Sequence, residues 1–212
     1  GTAFAPTTTT TYTVTGTDIN SCVNTATQTV TVNVLPTVLI TNAETSGTTN
    51  NDAIICSGAT ITLNGGGATS YTWSGGITNG TAFAPTTTTT YTVTGTDANG
   101  CVNTATKTIT VNALPLVTAA SVPTSGQVCI GSNATLNGGG ATSYTWTGGV
   151  TNGTAFAPTT TTTYTVTGTD ANGCVNTATK TITVNSLPVV TAASIPTSDQ
   201  VCNGSNATIN GG

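Results

Sequence analysis

Apolar and polar residues alternate along much of the chain, in short runs separated by glycine, proline and asparagine. The segment from Thr163 to Asp170 alternates strictly and leads into the turn dipeptide Asn172-Gly173. Strict alternation with a period of two is typical of a strand with one buried face. Tyr164 and Val166 therefore point toward a core, and the threonines between them point toward solvent.

Residues 115–187 contain six or seven such runs, divided by glycine-rich and proline-containing turns. Short strands at spacings of about 8–12 residues are typical of an antiparallel sandwich. The pattern therefore predicts an all-β fold, with strands at Val117 to Ser121, Ala134 to Asn137, Ser143 to Trp146, Thr154 to Ala157, Thr163 to Asp170, and Val175 to Asn185.

The chain repeats itself. The sequence Gly-Thr-Ala-Phe-Ala-Pro starts at Gly1, Gly80 and Gly153, with offsets of 79 and 73 residues. This period is too long for most solenoid units and suits a small independent domain. We expect 1–35 to be the C-terminal part of a repeat, 36–114 and 115–187 to be complete repeats, and 188–212 to be the N-terminal part of another. Both ends would then lie inside repeats of a longer array.

The longer period arises from six extra residues between Pro36 and Cys56, which include Glu44 and Asp52. An insertion confined to one place indicates a lengthened surface loop. This loop, 37–55, is the best candidate for a specific contact with a partner. Each repeat ends in Val-Asn-x-Leu-Pro, and proline favours a short, semi-rigid junction. We therefore expect the domains to form an extended rod, about 100 Å long if each strand is about 30 Å.

Composition removes several classes of function. The chain has 59 threonines, and only 4% of its residues are charged. Its two cations, Lys107 and Lys180, take equivalent strand positions that we place on the solvent-facing threonine side. They form no patch for nucleic acid or an anionic membrane surface. No run is long enough for a transmembrane helix, so we expect no direct membrane insertion by this segment.

No catalytic centre can be assembled from these residues. Histidine is absent, so the abundant hydroxyls lack a general base, and we expect no enzyme activity and no cofactor. Asp97 and Asp170 start Asp-Ala-Asn-Gly segments that weakly resemble a calcium loop. Calcium sites use several oxygen ligands, so a plain turn is the preferred interpretation. The threonine arrays could suit an ice-binding surface only if they were flat, and sandwich strands are twisted.

Several apolar positions of the repeat resemble the core positions of immunoglobulin-type domains. Trp146 follows Leu136 by ten residues, and Tyr164 precedes Val166 by two, like a tyrosine corner. The wider pattern, Cys-x-Gly, Ser-Tyr-Thr-Trp, Tyr-Thr-Val and Asn-Gly-Cys, resembles repeats of large Bacteroidota surface proteins. These include gliding-motility adhesins exported by the type IX system, and the Tyr-x-Trp strand is similar to PKD domains. The resemblance implies core residues at Leu63, Trp73, Tyr91, Val93, Leu136, Trp146, Tyr164 and Val166, with the tryptophans in the core rather than on a sugar platform.

Six cysteines at fixed places in the repeats suggest an oxidising compartment. Pairing within repeats would join Cys56 to Cys101 and Cys129 to Cys174. If the immunoglobulin arrangement holds, however, Cys129 and Cys174 lie at opposite poles, about 50 Å apart along extended chain, whereas a disulfide needs Cα atoms within about 7 Å. The alternative joins Cys56 to Cys174 between repeats. Cys22, Cys101, Cys129 and Cys202 would then pair outside this chain.

The leading hypothesis is a stalk or filament region of a secreted or cell-surface bacterial adhesin or motility protein, associated with the outer membrane. Its partners would be neighbouring repeats of the same chain, with lateral self-association plausible because threonine strands protect sheet edges weakly. The alternative is that the domains themselves bind extracellular polysaccharide or a partner protein. The threonine runs and five Asn-x-Ser/Thr sites, at Asn79, Asn133, Asn152, Asn203 and Asn206, could also carry glycans.

Overall fold

The computed structural model describes residues 1–195, 197 and 199–212. Within them the regular elements are β-strands and two short 3-10 turns, at Ser74–Gly76 and Thr147–Gly149. The chain forms two compact units. One comprises Gly1–Leu114 together with Asn172–Cys174, and the other comprises Pro115–Ala171 with Val175–Gly212. The main division lies between Leu114 and Pro115, where the sequence predicts that two repeats meet.

The first unit begins with an antiparallel hairpin of β1 (Thr10–Thr17) and β2 (Val23–Val30). Seven strands follow: β3 (Leu39–Ala43), β4 (Ile54–Cys56), β5 (Ile61–Gly66), β6 (Ser70–Trp73), β7 (Ala82–Phe83), β8 (Thr89–Thr96) and β9 (Val102–Asn112). They make a three-stranded sheet in the order β3-β5-β7 and a four-stranded sheet in the order β4-β9-β8-β6. Two sheets are thus built from one predicted repeat.

The second unit repeats this plan with β10 (Thr118–Val122), β11 (Gln127–Cys129), β12 (Ala134–Gly139), β13 (Ser143–Trp146), β14 (Ala155–Phe156), β15 (Thr162–Thr169) and β16 (Val175–Asn185). Its sheets have the orders β10-β12-β14 and β11-β16-β15-β13. A last antiparallel pair, β17 (Ala192–Ile195) and β18 (Thr208–Gly211), follows. The all-β fold predicted from the alternation is therefore confirmed.

Two strands, β4 and β11, were not foreseen. Each has three residues, too few to show alternation, and each ends at a cysteine. Both pair in parallel with the last long strand of their repeat, through Cys56 opposite Asn112 and Cys129 opposite Asn185. The two four-stranded sheets are consequently mixed, whereas the three-stranded sheets are purely antiparallel. A parallel pair is possible here because most of the repeat lies between the two strands in sequence.

The two sheets of each repeat enclose one apolar core. In the second unit Leu136 and Ala134 come from one sheet, and Val166 and Ile182 from the other. Leu63 and Ile61 play the same part in the first unit. The predicted core residues are buried, with the exception of Trp73, which is half-buried against its cluster. This is the face-to-face packing of a sandwich.

The hydroxyl of Tyr144 fastens the turn that precedes its own strand. The Ala141 N–H donates to this hydroxyl at 2.7 Å, and the hydroxyl donates to the Ala141 carbonyl at 2.6 Å. Tyr71 makes the same two bonds with Ala68, at 2.7 and 2.6 Å. Tyr164, expected to act as a tyrosine corner, instead packs edge-on against Phe156 with ring centroids 5.3 Å apart.

The prediction for the two lysines was wrong. Lys180 is paired opposite Tyr164 and Lys107 opposite Tyr91, both buried tyrosines, so the lysines share the inner face of their strands. Counting in twos from Ile182 gives the same face, which the alternation could have shown. Lys180 is half-buried, and its Nζ donates to the Thr124 carbonyl at 3.2 Å. Its side chain lies against the turn at Gly126, where an added Cβ would be 3.3 Å from the lysine Cε.

Candidate functional site: the cysteine bond and the inserted loop

The residues that the structure describes hold no group of three or more His, Cys, Asp or Glu side chains placed to bind a metal ion. Asp97 has a structural role in its turn: its Oδ1 accepts the N–H groups of Asn99 and Cys101, both at 2.8 Å. Asp18 makes the equivalent bonds to Asn20 and Cys22. These carboxylates close a turn by accepting backbone hydrogen bonds, as Asx turns do. Asp170 begins a turn of the same sequence as Asp97. No helix in the described part of the chain is long and apolar enough to span a membrane.

The most distinctive covalent feature is a disulfide between Cys56 and Cys174. Its Cα atoms are 5.5 Å apart, and the two cysteines are 118 residues apart in sequence. Cys56 lies at the end of β4, and Cys174 follows the Asn172-Gly173 turn before β16. The bond therefore joins the predicted repeat 36–114 to a turn that belongs in sequence to the repeat 115–187.

The two alternative pairs within repeats do not form. Cys101 and Cys129 carry free thiols, as do Cys22 and Cys202. Cys174 is fully buried and Cys56 is 8% exposed, whereas Cys129, at the equivalent position of the next repeat, is exposed. The same sequence position is thus enclosed in one repeat and open to solvent in the other.

The inserted loop lies beside Cys56, and Glu44 organises it. Glu44 is only 5% exposed. Its Oε2 accepts the Ser46 N–H and its Oε1 accepts the Asp52 N–H, both at 3.0 Å. Its own N–H donates to Asn51 Oδ1 at 3.2 Å. One carboxylate therefore ties the outgoing and returning arms of the loop together, which satisfies a buried charge by charge-assisted hydrogen bonds.

The loop is also attached to the cysteine strand and to the sheet. The Cys56 N–H donates to Ser46 Oγ at 3.2 Å. The Ala53 carbonyl accepts the Thr110 N–H of β9 at 2.9 Å. Ala53 is buried at φ +70°, where the next repeat has Gly126 at the same φ and the same bond to Thr183. The insertion therefore extends outward from a backbone position that both repeats share.

The tip of the loop lies directly against the Asn172–Cys174 turn, which is part of the same compact unit. A Cβ built on Gly173 would be 2.7 Å from the Gly47 carbonyl carbon and 2.9 Å from the Thr48 nitrogen. A Cβ on Gly47 would be 3.3 Å from the Asn172 carbonyl oxygen. The two glycine turns are therefore in backbone-to-backbone contact beside the disulfide.

Sequence reasoning missed two roles. In the sequence, Glu44 was only one of two acids in an insertion, and such side chains are usually solvated. Asn79 and Asn152, which lie in possible glycosylation sites, also accept hydrogen bonds from the indole N–H groups of Trp73 and Trp146, at 3.0 and 2.9 Å. Each asparagine follows its tryptophan by six residues in both copies, and this constant spacing was the available signal.

A shallow depression also borders the inserted loop. Its volume is about 280 Å³, and it is lined by Ala43, Glu44, Thr45, Asn50, Asn51, Thr60 and Thr62. The lining is polar and lacks aromatic side chains. It is the feature nearest to the predicted contact loop 37–55 that has the form of a ligand site.

Comparison with known proteins gives little beyond this. No known protein family matches the sequence, and no curated protein matches it. Among solved structures, the chain is similar to a "Ca2+-stabilized adhesin" that "helps an Antarctic bacterium reach out and bind ice", with 20% identity and a TM-score of 0.37. The likeness covers 88% of this chain, which spans 59% of the length of that one. Similarity at this level says nothing about what the present chain binds.

Proposed function

We propose that this chain is a structural region of immunoglobulin-like repeats in a stalk or filament of a secreted or cell-surface bacterial protein of the adhesin or motility type. The observation that carries the proposal is the disulfide between Cys56 and Cys174. It connects one predicted repeat to the next instead of closing a single core, which suits a bond that carries mechanical load.

The location of the bond has a mechanical consequence. Tension applied to the two ends of the chain passes from Cys56 to Cys174 through the sulfur atoms. Residues 57–173 then lie outside the load path, although they make up most of two complete repeats. A region built to hold its length under tension gains directly from this arrangement.

Other features support an extracellular site and a rod. A structural disulfide fits an oxidising compartment. The Val-Asn-x-Leu-Pro junctions and the resemblance to Bacteroidota surface repeats support a long, semi-rigid array. Free Cys22, Cys101, Cys129 and Cys202 would each pair with an equivalent cysteine outside this chain, so that successive bonds overlap along the array. Weakly protected threonine edges support lateral association of neighbouring chains.

The second candidate function is binding of polysaccharide or a partner protein by the repeats themselves. It is favoured by the depression beside Asn50 and Asn51. We expect that replacing Asn50 and Thr60 with alanine would abolish such binding, measured by calorimetry against extracellular polysaccharide from the source cells, without changing the melting curve. Binding that survived the replacement would reject this surface as the site.

Single-molecule pulling tests the structural proposal. The chain is held at its two ends and extended with and without a reducing agent. The sequence separation of 118 between the cysteines corresponds to about 400 Å of extended chain at about 3.5 Å per residue. We expect this length to be missing from the oxidised wild type and to be released by reductant.

The Cys174→Ser variant is the matched control, since it should release the same length without reductant. If the oxidised wild type extends as far as the variant, the bond does not carry the load. The proposal would then lose its main support.

A further inference from the structure

We propose that the inserted loop, residues 44–53, is a docking socket whose ligand is an Asn-Gly-Cys turn, here the turn Asn172–Cys174. The bond between Cys56 and Cys174 is then the covalent end of a surface that recognises a particular turn. This inference deepens the structural proposal above and rests on its disulfide, but it makes a separate claim about why the insertion exists.

The socket is held in shape by bonds within its own repeat. Glu44 holds Ser46 and Asp52 together through its two oxygens, and Ser46 in turn accepts the Cys56 N–H. The loop is therefore fixed to the cysteine strand by bonds that do not involve the docked turn. Because bonds within the repeat already order the loop, less conformational entropy is lost when a partner docks.

The socket is shaped for glycine. Gly173 has φ +76°, a conformation that glycine adopts readily, and its α-carbon faces the backbone of Gly47 and Thr48. Any side chain there would overlap main-chain atoms, which cannot move aside as a flexible side chain can. The contact thus selects a turn with glycine immediately before the cysteine.

Within this chain the same turn also occurs without such a contact and serves as an internal reference. Asp97-Ala98-Asn99-Gly100-Cys101 repeats the sequence of residues 170–174. Gly100 has φ +78°, but a Cβ on it would have nothing within 4 Å. Gly100 and Gly173 therefore adopt nearly the same positive φ, but only Gly173 has backbone atoms close to its α-carbon.

Docking of the turn encloses the disulfide. Cys174 is completely buried, while Cys101 in the undocked turn is half-exposed. The partner class that fits the socket is accordingly an Asn-Gly-Cys turn of another repeat, presented with its thiol toward Cys56.

The experiment compares glycine-to-alanine variants of the full chain in a glutathione redox buffer. The fraction of Cys56–Cys174 disulfide is read by non-reducing peptide mapping at a series of glutathione ratios. We expect Gly173→Ala to lower the equilibrium constant for forming this bond at least tenfold. We expect Gly100→Ala, which carries the same φ penalty in open space, to leave it within twofold of the wild type.

A second pair approaches the contact from the other side. Gly47→Ala places a Cβ 3.3 Å from the Asn172 oxygen, whereas Gly58, also at φ +87°, has open space around it. We expect Gly47→Ala to weaken the bond by several-fold and Gly58→Ala to have little effect. Near-ultraviolet circular dichroism of each variant checks that the repeats remain folded, and the two pairs together do not depend on any single variant folding.

The outcomes separate the two proposals. If the wild type forms the bond but Gly173→Ala and Gly100→Ala behave alike, as do Gly47→Ala and Gly58→Ala, the socket is refuted and the stalk proposal stands. If the wild type does not form the Cys56–Cys174 bond at all, both lose their basis.

Discussion

The tyrosine hydroxyl before β13 offers a quantitative test of how the repeats are stabilised. Tyr144→Phe removes the two hydrogen bonds to Ala141, at 2.7 and 2.6 Å, and keeps the ring. The ring lies on Gly138, where a Cβ would come within 2.5 Å of it, so the packing should survive.

The magnitude follows from the number of bonds lost. Each neutral hydrogen bond contributes about 1 kcal/mol net, so the loss is about 2 kcal/mol if Ala141 finds no other partner. Ala141 is half-buried, and water will recover part of this. We therefore expect a loss of about 1–2 kcal/mol, which for a domain of this size lowers the melting temperature by about 5–15 °C.

The assay is differential scanning calorimetry of the oxidised full chain. Tyr144→Phe should move only the transition of residues 115–187, and Tyr71→Phe should move only that of residues 36–114. Tyr164→Phe is the control, because that side chain is held by its ring contact with Phe156. If Tyr144→Phe and Tyr164→Phe shift the transition equally, the hydroxyl bonds do not stabilise the turn, and the reasoning fails.

Three further predictions concern other parts of the chain. Gly168→Ala would bring a Cβ within 2.6 Å of Val117, so it should cost about 1–3 kcal/mol of stability in denaturant unfolding. Gly16→Ala, at the equivalent position with open space, should cost little. Equal effects would show that close packing at Gly168 does not limit stability. Glu44→Ala should speed hydrogen exchange of the Ser46 and Asp52 amides about tenfold or more, because each loses a bond to a charged acceptor; unchanged exchange would mean that the loop does not depend on the carboxylate. A chelator should leave the melting temperature unchanged, because Asp97 already accepts two backbone N–H groups, and a clear drop would reinstate calcium.

Strand positions and strand faces were predictable, because both depend on local alternation. The predicted run from Thr163 to Asp170 became β15, Thr162–Thr169, with Tyr164 and Val166 inward. The three-residue strand containing Cys129 was not predictable, since it exists only through pairing with β16. The lysine error was of another kind: the alternation held the answer, but the face of the lysines was assigned from their charge.

The candidate site was predictable only in part. Regular cysteine spacing made a bond between repeats plausible, and the structure forms Cys56–Cys174. Nothing in the local sequence indicated that Glu44 would be buried or that Gly47 would meet Gly173. These facts depend on two segments more than a hundred residues apart being brought together, and such contacts leave no periodic pattern in either segment.

One strand sequence shows where the sequence stops determining the result. Thr-Thr-Tyr-Thr-Val-Thr-Gly-Thr occurs as β1, β8 and β15, and in all three it forms the same hairpin with the following strand. Val93 and Val166 are fully buried in repeats that have a second sheet, whereas Val14, whose hairpin has no second sheet among the described residues of this chain, is 66% exposed. The amino-acid sequence fixes the extended backbone and the side on which each residue lies, because these depend on nearest neighbours. Burial requires a facing sheet, and only the tertiary structure supplies one.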